Sequence, residues 1–152
     1  MRLTIFAILL VVVVVGSGGG PAQAVETVFA DPKPSMDQPR KILLQLTSRD
    51  PRTINNLLFN VVNIQNFYGM DNVKIAVVAY GDGMQAYYKK TSPVRDRIVS
   101  LKLYDVEFVA CGNTMSATGH KNTELIEGVQ VVTAGIPEIV ERTLRGWSYI
   151  RP

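Results

Sequence analysis

Four short apolar runs recur along this chain, and segments with helical patterns separate them. The runs lack helical spacing and occupy residues 41–47 (KILLQLT), 73–80 (VKIAVVAY), 105–111 (DVEFVAC) and 129–133 (VQVVT). Uninterrupted apolar strands are typical of a parallel sheet that is covered on both faces. Their alternation with helices predicts an α/β fold, namely a three-layer α/β/α domain with a mainly parallel sheet of four to five strands.

The helical segments are read from apolar spacing and from end signals. An apolar stripe that begins at Ile54 predicts a long helix after the first strand, and Gly69 is expected to end it. Ser92 and Pro93 predict the N-cap and the first turn of a later helix. A short helix is expected in MQAYYKK, residues 84–90.

The end of the chain predicts one more helix and one more strand. Residues 136–147 (IPEIVERTLRGW) carry an apolar stripe at helical spacing, and Trp147 continues that stripe and is assigned to packing. Residues 148–150 are expected to add an edge strand.

The first 24 residues have the pattern of a secretory signal peptide. A basic start precedes an apolar run of 11 residues at positions 5–15, and Ala22, Gln23 and Ala24 form an A-x-A cleavage pattern. A membrane-spanning helix needs about 20 apolar residues, so the run is too short for one. We expect cleavage after Ala24, a periplasmic or secreted protein, and no stable membrane anchor after cleavage. Residues 25–39 are expected to form an extended arm or linker before a domain at residues 40–152.

Charge and residue counts exclude several classes of function. Removal of residues 1–24 takes away one of the 16 basic residues and none of the 13 acidic ones, which leaves a net charge of +2. Basic and acidic residues are interleaved, whereas a nucleic-acid interface needs a basic cluster, so we expect no nucleic-acid partner. One cysteine and one histidine are too few for a usual zinc or iron site within one chain. No metal and no cofactor are therefore expected.

The single cysteine, Cys111, ends the third apolar run. Ligands of open parallel sheets bind beyond the carboxyl ends of the strands, which is where this position falls. Unpaired amides and the helix dipole at the start of the following helix favour a thiolate there. The alternative is a packed thiol, since free cysteine is among the most buried residue types. These two interpretations stay open at this point.

Neighbouring residues are candidates for binding a substrate at the same edge. Gly112 permits close approach of the backbone, and Asn113 is a good N-cap, so together they are expected to form an anion-binding nest. Asp82 follows the second strand and is expected to line the same cleft as Cys111. The glycines on either side of Asp82 lack the spacing of a phosphate-binding loop. His120 is a candidate base for the thiol, although an exposed loop histidine is the simpler interpretation.

The order and spacing of KILLQLTSRDPRTINNLLFNVVNIQNFYG, VKIAVVAYGDGMQAYYKKTS, EFVACGNTM and VQVVTAGIPEIVERTLRGWSYIRP resemble the DsrE/DsrF-like family of small sulfur-relay proteins. The resemblance extends over residues 40–152 and implies a three-layer α/β domain that forms trimers or hexamers. In active members, a cysteine at the end of the third strand accepts and passes on sulfane sulfur as a persulfide, and this position matches Cys111. The implied partners are a sulfur donor or acceptor protein or a small sulfur compound.

The leading prediction is an exported DsrE/DsrF-like sulfur carrier or sulfurtransferase that binds sulfane sulfur on Cys111. A second hypothesis is a non-catalytic oligomeric binding or assembly module in which Cys111 belongs to the core. A third is a hydrolase that uses Cys111 and His120.

Overall fold

A computed structural model describes residues 25–152 of the chain, and the predicted signal peptide lies outside these residues. Five strands form one sheet in the order β4-β3-β2-β1-β5, and every neighbouring pair is parallel. The strands are β1 (Arg40–Leu46), β2 (Val73–Ala79), β3 (Val106–Cys111), β4 (Gln130–Val132) and β5 (Ser148–Ile150). The four apolar runs and the expected edge strand thus all become strands.

Helices cover both faces of this sheet, so the predicted three-layer α/β/α fold is confirmed. The α-helices are α1 (Pro51–Tyr68), α2 (Arg95–Lys102), α3 (Gly112–Ala117) and α4 (Gly135–Leu144). Three 3-10 turns lie at Met70–Asn72, Gly81–Ala86 and Asn122–Glu124. None of the helices within residues 25–152 is long and apolar enough to cross a membrane.

The two faces of the sheet bury different numbers of side chains. Alternate residues of the central strands, such as Leu44, Val77 and Phe108, pack with α1 and α2 in the larger core cluster. The opposite face has a small core made of Leu43, Ala76, Val78 and Val109, against which Ile139 and Trp147 pack. The side chains alternate because successive residues of a strand point to opposite faces.

Helix α1 ends where the sequence predicts, at Gly69. The Asp50 carboxylate caps its start by accepting from the Thr53 amide at 2.8 Å, and Pro51 follows in the first turn. Gly69 ends the helix with φ +83°, a conformation that favours glycine.

The expected start of α2 is wrong by two residues. Helix α2 begins at Arg95 after Val94, and Ser92 is not its N-cap. The Ser92 hydroxyl instead donates to the Ala86 carbonyl at 2.6 Å and accepts from the Val94 amide at 3.2 Å. These contacts tie down the preceding turn, so the hydroxyl is not free to cap the helix.

The helix expected in residues 84–90 is also wrong. A 3-10 turn occupies Gly81–Ala86, and the two tyrosines that follow are drawn into the core. The Tyr87 hydroxyl donates to the Val77 carbonyl at 2.7 Å, and Tyr88 forms an antiparallel bridge with Leu125. Burial of both rings holds this segment in a non-helical path.

The apolar stripe of α4 divides between the core and the surface. Ile139 packs on the sheet, but Ile136, Val140 and Leu144 are 58%, 50% and 76% exposed. A buried ion pair fixes the helix instead, because Arg142 bonds Glu107 of β3 at 2.8 Å. Half of the stripe that the sequence suggests for packing therefore remains on the surface of the single chain.

Candidate functional site

The carboxyl edge of the sheet brings together the loops that follow β1, β2 and β3. The Gly81 amide, after β2, donates to the Thr114 hydroxyl, after β3, at 3.1 Å. A Cβ on Gly83 would lie 2.1 Å from the Leu46 carbonyl oxygen, so the loop after β2 packs directly on the end of β1. Only glycine permits this approach.

Cys111 is both the last residue of β3 and the N-cap of α3. Its Sγ accepts from the Thr114 amide at 3.5 Å. The residue is only 5% exposed and belongs to the larger core cluster. The thiol is thus buried and hydrogen-bonded at once, so its burial alone does not decide between the two interpretations of its role.

Hydrogen bonds outweigh burial in setting the acidity of this thiol. Burial alone would raise the pKa of Cys111, because it disfavours the charged form. The Thr114 hydroxyl, the Thr114 amide and the Gly135 amide stabilise the thiolate, and the pKa is lowered below its ordinary value. A lowered pKa increases the thiolate fraction, which is the nucleophilic form.

Gly112 and Asn113 have structural roles that differ from the expected nest. A Cβ on Gly112 would lie 2.9 Å from the Val132 carbonyl oxygen, so this glycine does permit close approach, but to β4. The sequence suggested Asn113 as the N-cap of α3. This prediction is wrong, because Cys111 takes that position. The Asn113 amide donates to the Thr133 carbonyl at 3.0 Å. It makes the smallest of the contributions that lower the pKa of the thiol.

Asp82 does not share a cleft with Cys111. It lines a small neighbouring cavity instead. The cavity has a volume of about 120 Å³, and its walls include Arg49, Asp82, Tyr88, Thr114 and His120. Cys111 is not among its lining residues. Thr114 is the residue shared by the two places, since it lines the cavity and donates to Cys111.

His120 is held by partners other than the thiol. Its Nδ1 lies 2.8 Å from the Glu124 Oε2, and its ring stacks on Tyr88 with 3.9 Å between the centroids. The hydrogen bond from His120 is the largest influence that lowers the pKa of Glu124. None of the groups that hydrogen-bond Cys111 belongs to His120. This geometry gives no support to a hydrolase built on Cys111 and His120.

Sequence reasoning missed three residues at this edge: Thr114, Gly135 and Tyr88. A local signal existed for Thr114, because the residue three positions after an N-cap commonly bonds it. No local signal existed for Gly135, which lies in the next helix, where a Cβ would come within 3.3 Å of the Cys111 Cβ. Tyr88 was assigned to a helix that does not form.

Two further features bear on what could bind. Within residues 25–152, no group of three His, Cys, Asp or Glu side chains is arranged to hold a metal ion. A larger groove of about 520 Å³ lies between α1 and α2, and Gln65, Arg97 and Tyr104 are among its lining residues. It contains none of the residues of the carboxyl edge.

Comparison with solved structures identifies proteins of the same fold. A protein of unknown function, MTH1491 from Methanobacterium thermoautotrophicum, is 34% identical, with a TM-score of 0.71 over 74% of this chain and 99% of that one. The ychN protein from E. coli is 15% identical, with a TM-score of 0.62 over 75% of this chain and 99% of its own. BT1422 from Bacteroides thetaiotaomicron, also of unknown function, is 17% identical, with a TM-score of 0.56 over 74% of this chain and 94% of its own.

At 15% and 17% identity, the last two similarities concern the fold alone. No curated protein sequence matches the chain. The model of the DsrE/DsrF-like family matches residues 40–152, which is the whole α/β domain from β1 to the end of the chain. The chain therefore belongs to the DsrE/DsrF-like family.

Proposed function

We propose that this protein is an exported sulfur carrier that holds sulfane sulfur as a persulfide on Cys111. Membership of the DsrE/DsrF-like family suggests a protein of the sulfur-relay type. The observation that carries the residue assignment is the hydrogen bonding of the Cys111 sulfur by Thr114 and Gly135, which lowers the pKa of a buried thiol. Capping of α3 accounts for the bond from the Thr114 amide, but it does not require the Thr114 hydroxyl or the Gly135 amide as further donors.

The chemistry of loading and release follows from this thiolate. The Cys111 thiolate attacks the outer sulfur of a donor persulfide, the donor's sulfur–sulfur bond breaks, and the donor leaves as a thiolate. An acceptor thiolate then attacks the outer sulfur on Cys111 and displaces the Cys111 thiolate. No external oxidant or reductant is consumed. The same hydrogen bonds that favour attack also make Cys111 a better leaving group, because a thiol of lower pKa leaves faster.

The depth of the thiol constrains the sulfur donor. At 5% exposure, Cys111 offers little surface to a flat protein interface. A small sulfur compound, or a thiol that protrudes from a partner protein, fits this geometry better than a broad interface does.

The experiment compares the intact masses of two proteins after exposure to inorganic polysulfide. We expect wild type to gain the mass of one sulfur atom and Cys111→Ser to gain none. The gain must disappear on treatment with a phosphine or a thiol, since a persulfide is reducible. No gain on wild type, or an equal gain on Cys111→Ser, would contradict the proposal.

A second candidate is a non-catalytic assembly module with Cys111 as a core residue. The observation in its favour is the 5% exposure of Cys111 within the larger core cluster. It predicts that a maleimide reacts slowly with the native protein at every pH and quickly only after unfolding. The sulfur-carrier proposal predicts that a small reagent alkylates Cys111 in the folded protein. The rate of this reaction should increase with pH over a range that lies below the ordinary thiol pKa, because the thiolate forms there.

The export part of the proposal rests on the sequence of residues 1–24. A basic start, an apolar run and the A-x-A pattern support cleavage after Ala24 and a periplasmic or secreted location. N-terminal sequencing of the protein recovered from the periplasm or medium is expected to begin at Val25. An uncleaved protein confined to the cytoplasm would contradict this part alone.

The homo-oligomer part of the proposal is supported by the surface of α4. Its exposed apolar residues Ile136, Val140 and Leu144 follow one another at four-residue spacing and form one stripe on the helix. Packing of this stripe against a second copy of the chain would remove it from water. A second copy of the chain is therefore the occupant that we propose for this face.

A further inference from the structure

The small cavity beside Thr114 has an unusual combination of polar groups. Tyr88, which lines it, is 6% exposed, and its Oη makes no hydrogen bond within the described part of the chain. The Thr118 side chain lies close enough to Tyr88 to lower its pKa in part, but the Thr118 hydroxyl donates to the carbonyls of Thr114 at 2.8 Å and Met115 at 3.3 Å, and the Tyr88 Oη makes no hydrogen bond of normal geometry with it. A buried hydroxyl without a partner costs about 1–3 kcal/mol, so this atom needs an explanation.

The mouth of the cavity carries one charge of each sign. The Arg49 Nε lies 3.8 Å from the Asp82 Oδ2, and the two side chains are 76% and 67% exposed. This loose pair leaves most of the donors of Arg49 and the acceptors of Asp82 available. A simple anion would be attracted by Arg49 but repelled by Asp82, whereas a molecule with both an ammonium and a carboxylate would pair with both.

The size of the cavity limits the ligand. A volume of about 120 Å³ is well below the roughly 300–1,000 Å³ typical of pockets for cofactors and drug-sized ligands. A ligand of a few non-hydrogen atoms fits, with its charged groups at the open mouth and its remaining end at Tyr88 and Thr114.

We propose that this cavity binds a small zwitterionic thiol, an amino acid of the cysteine type or its persulfide, with its sulfur at Tyr88 and Thr114. The carboxylate pairs with Arg49 and the ammonium with Asp82. The Tyr88 hydroxyl donates to the ligand's sulfur. The sulfur then lies against Thr114, which contacts Cys111.

The state of the Tyr88 hydroxyl agrees with a donor role. Burial, as the largest cause, and the charge of Glu124 raise the pKa of Tyr88, while Thr118 lowers it in part. The phenol therefore remains protonated at neutral pH. The stacked ring of His120, itself bonded to Glu124, holds the phenol in place.

The role of this ligand rests on the proposed sulfur-carrier function, whereas its binding does not. If the ligand arrives as a persulfide, its outer sulfur has to extend past Thr114, because Cys111 does not line the cavity. The Cys111 thiolate then attacks that outer sulfur, the sulfur–sulfur bond breaks, and the amino acid leaves as a thiolate. The Tyr88 hydroxyl donates to that leaving sulfur. Atoms and electrons balance without another reactant.

Calorimetric titration of the protein in a phosphine reductant tests the binding. The probes are L-cysteine, N-acetylcysteine without the ammonium, cysteamine without the carboxylate, and L-alanine, which has no acceptor atom in place of the sulfur. We expect saturable binding of L-cysteine and at least about tenfold weaker binding of the other three. Equal affinities, or no saturable binding of L-cysteine, would overturn the inference.

Variants assign each contact. Asp82→Asn removes the partner of the ammonium, so we expect this variant to lose the preference for L-cysteine over N-acetylcysteine. Arg49→Gln removes the partner of the carboxylate, so we expect this variant to lose the preference for L-cysteine over cysteamine. Tyr88→Phe should weaken the binding of L-cysteine but not that of L-alanine, and it should cost little stability, because the deleted hydroxyl makes no hydrogen bond of normal geometry in the chain. Tyr104→Phe, at an exposed ring outside the cavity, is the matched control. Unchanged selectivity in Asp82→Asn and Arg49→Gln would also overturn the inference.

Comparison with the polysulfide experiment separates the two proposals. Sulfur loading of Cys111 without binding of L-cysteine overturns the ligand inference and leaves the carrier function standing. Binding of L-cysteine without sulfur loading of Cys111 overturns the carrier function and leaves the ligand site standing.

Discussion

Thr114 touches Cys111 and the neighbouring loop at the same time. Its amide donates to the Cys111 Sγ at 3.5 Å, and its hydroxyl accepts from the Gly81 amide at 3.1 Å. Because the Gly81 amide donates to the Thr114 hydroxyl oxygen, the loop after β2 fixes the orientation of this hydroxyl. The acidity of the thiol therefore depends on the loop after a different strand.

Replacement of Thr114 by valine tests this coupling. Thr114→Val keeps the amide and the side-chain shape but removes the hydroxyl, so we expect a raised pKa of Cys111 and slower alkylation at neutral pH. Loss of the Gly81 bond should cost about 1 kcal/mol of unfolding free energy. The pH dependence of iodoacetamide labelling measures the pKa. Thr118→Val, which removes a hydroxyl that donates only to backbone carbonyls, is the control. An unchanged pKa of Cys111 in Thr114→Val would show that the Thr114 hydroxyl does not lower it.

The lowered pKa of Cys111 also predicts how stability changes with pH. Between the folded and unfolded pKa values, the folded protein binds fewer protons, so its unfolding free energy rises with pH. The stabilisation is complete above the unfolded thiol pKa, about 8.5, and is lost as the pH falls through the folded value. Urea unfolding of wild type and Cys111→Ser over this range, under reducing conditions, gives the difference. A difference independent of pH would show that the thiol is not selectively ionised in the folded state.

Gly112→Ala should destabilise the protein through its backbone neighbour. The new Cβ would lie 2.9 Å from the Val132 carbonyl oxygen, and Val132 belongs to β4, which is paired with β3, so relief of this contact requires movement of backbone. We expect a loss of about 1–3 kcal/mol in unfolding free energy, measured by urea titration. Asn113→Ala, one residue along at an exposed side chain, is expected to change stability by less than about 0.5 kcal/mol. Equal effects would mean that the crowding at Gly112 is relieved by movement.

Arg142→Leu should loosen α4 from the sheet. The Arg142 side chain, 10% exposed, bonds Glu107 at 2.8 Å and Glu138 at 2.7 Å. Its removal leaves Glu107 without this partner and leaves Glu138 with only the more distant Arg145. We expect a loss of about 2 kcal/mol of unfolding free energy. Arg145→Leu provides the comparison, because Arg145 is 57% exposed and meets Glu138 only at 3.9 Å. Its cost should be below about 0.5 kcal/mol.

Val140→Glu tests whether the exposed face of α4 joins two copies of the chain. A charge at the centre of the apolar stripe should dissociate the oligomer to monomers without unfolding it, as measured by light scattering and circular dichroism. Val99→Glu makes the same change on α2 at a similarly exposed valine and should leave the molar mass of the particle unchanged. Wild type that is monomeric at all concentrations would contradict the proposed homo-oligomer.

The sequence predicts the sheet well because its strands are defined by local patterns. The first three apolar runs are buried on both faces, whereas the fourth, in the edge strand β4, is largely exposed. Features such as Gly69 mark boundaries that depend on nearby residues only. The start of α2 is less predictable, because the Ser92 hydroxyl is engaged by Ala86 in a turn that no local rule reveals. The apolar stripe of α4 shows helical spacing, but spacing alone does not distinguish a face that packs in the chain from one that stays exposed.

The candidate site is only partly predictable for a similar reason. Cys111 is located by its place at the end of β3, and Thr114 could have been found from its spacing to an N-cap. Gly135 and Tyr88 reach the site through tertiary contacts across a long stretch of chain. Asn113 was overrated because its residue type favours capping, while the preceding cysteine takes that position.

If Cys111 carries sulfur as we propose, the position of the donors around it has a consequence for the direction of transfer. The Thr114 and Gly135 amides face Sγ, and the outer sulfur of a persulfide would lie one bond, about 2 Å, beyond that atom. Their hydrogen bonds therefore stabilise the emptied thiolate more than the outer atom of the loaded form. Such a carrier would pass its sulfur readily to an acceptor thiol, which suits rapid transfer better than long-term storage.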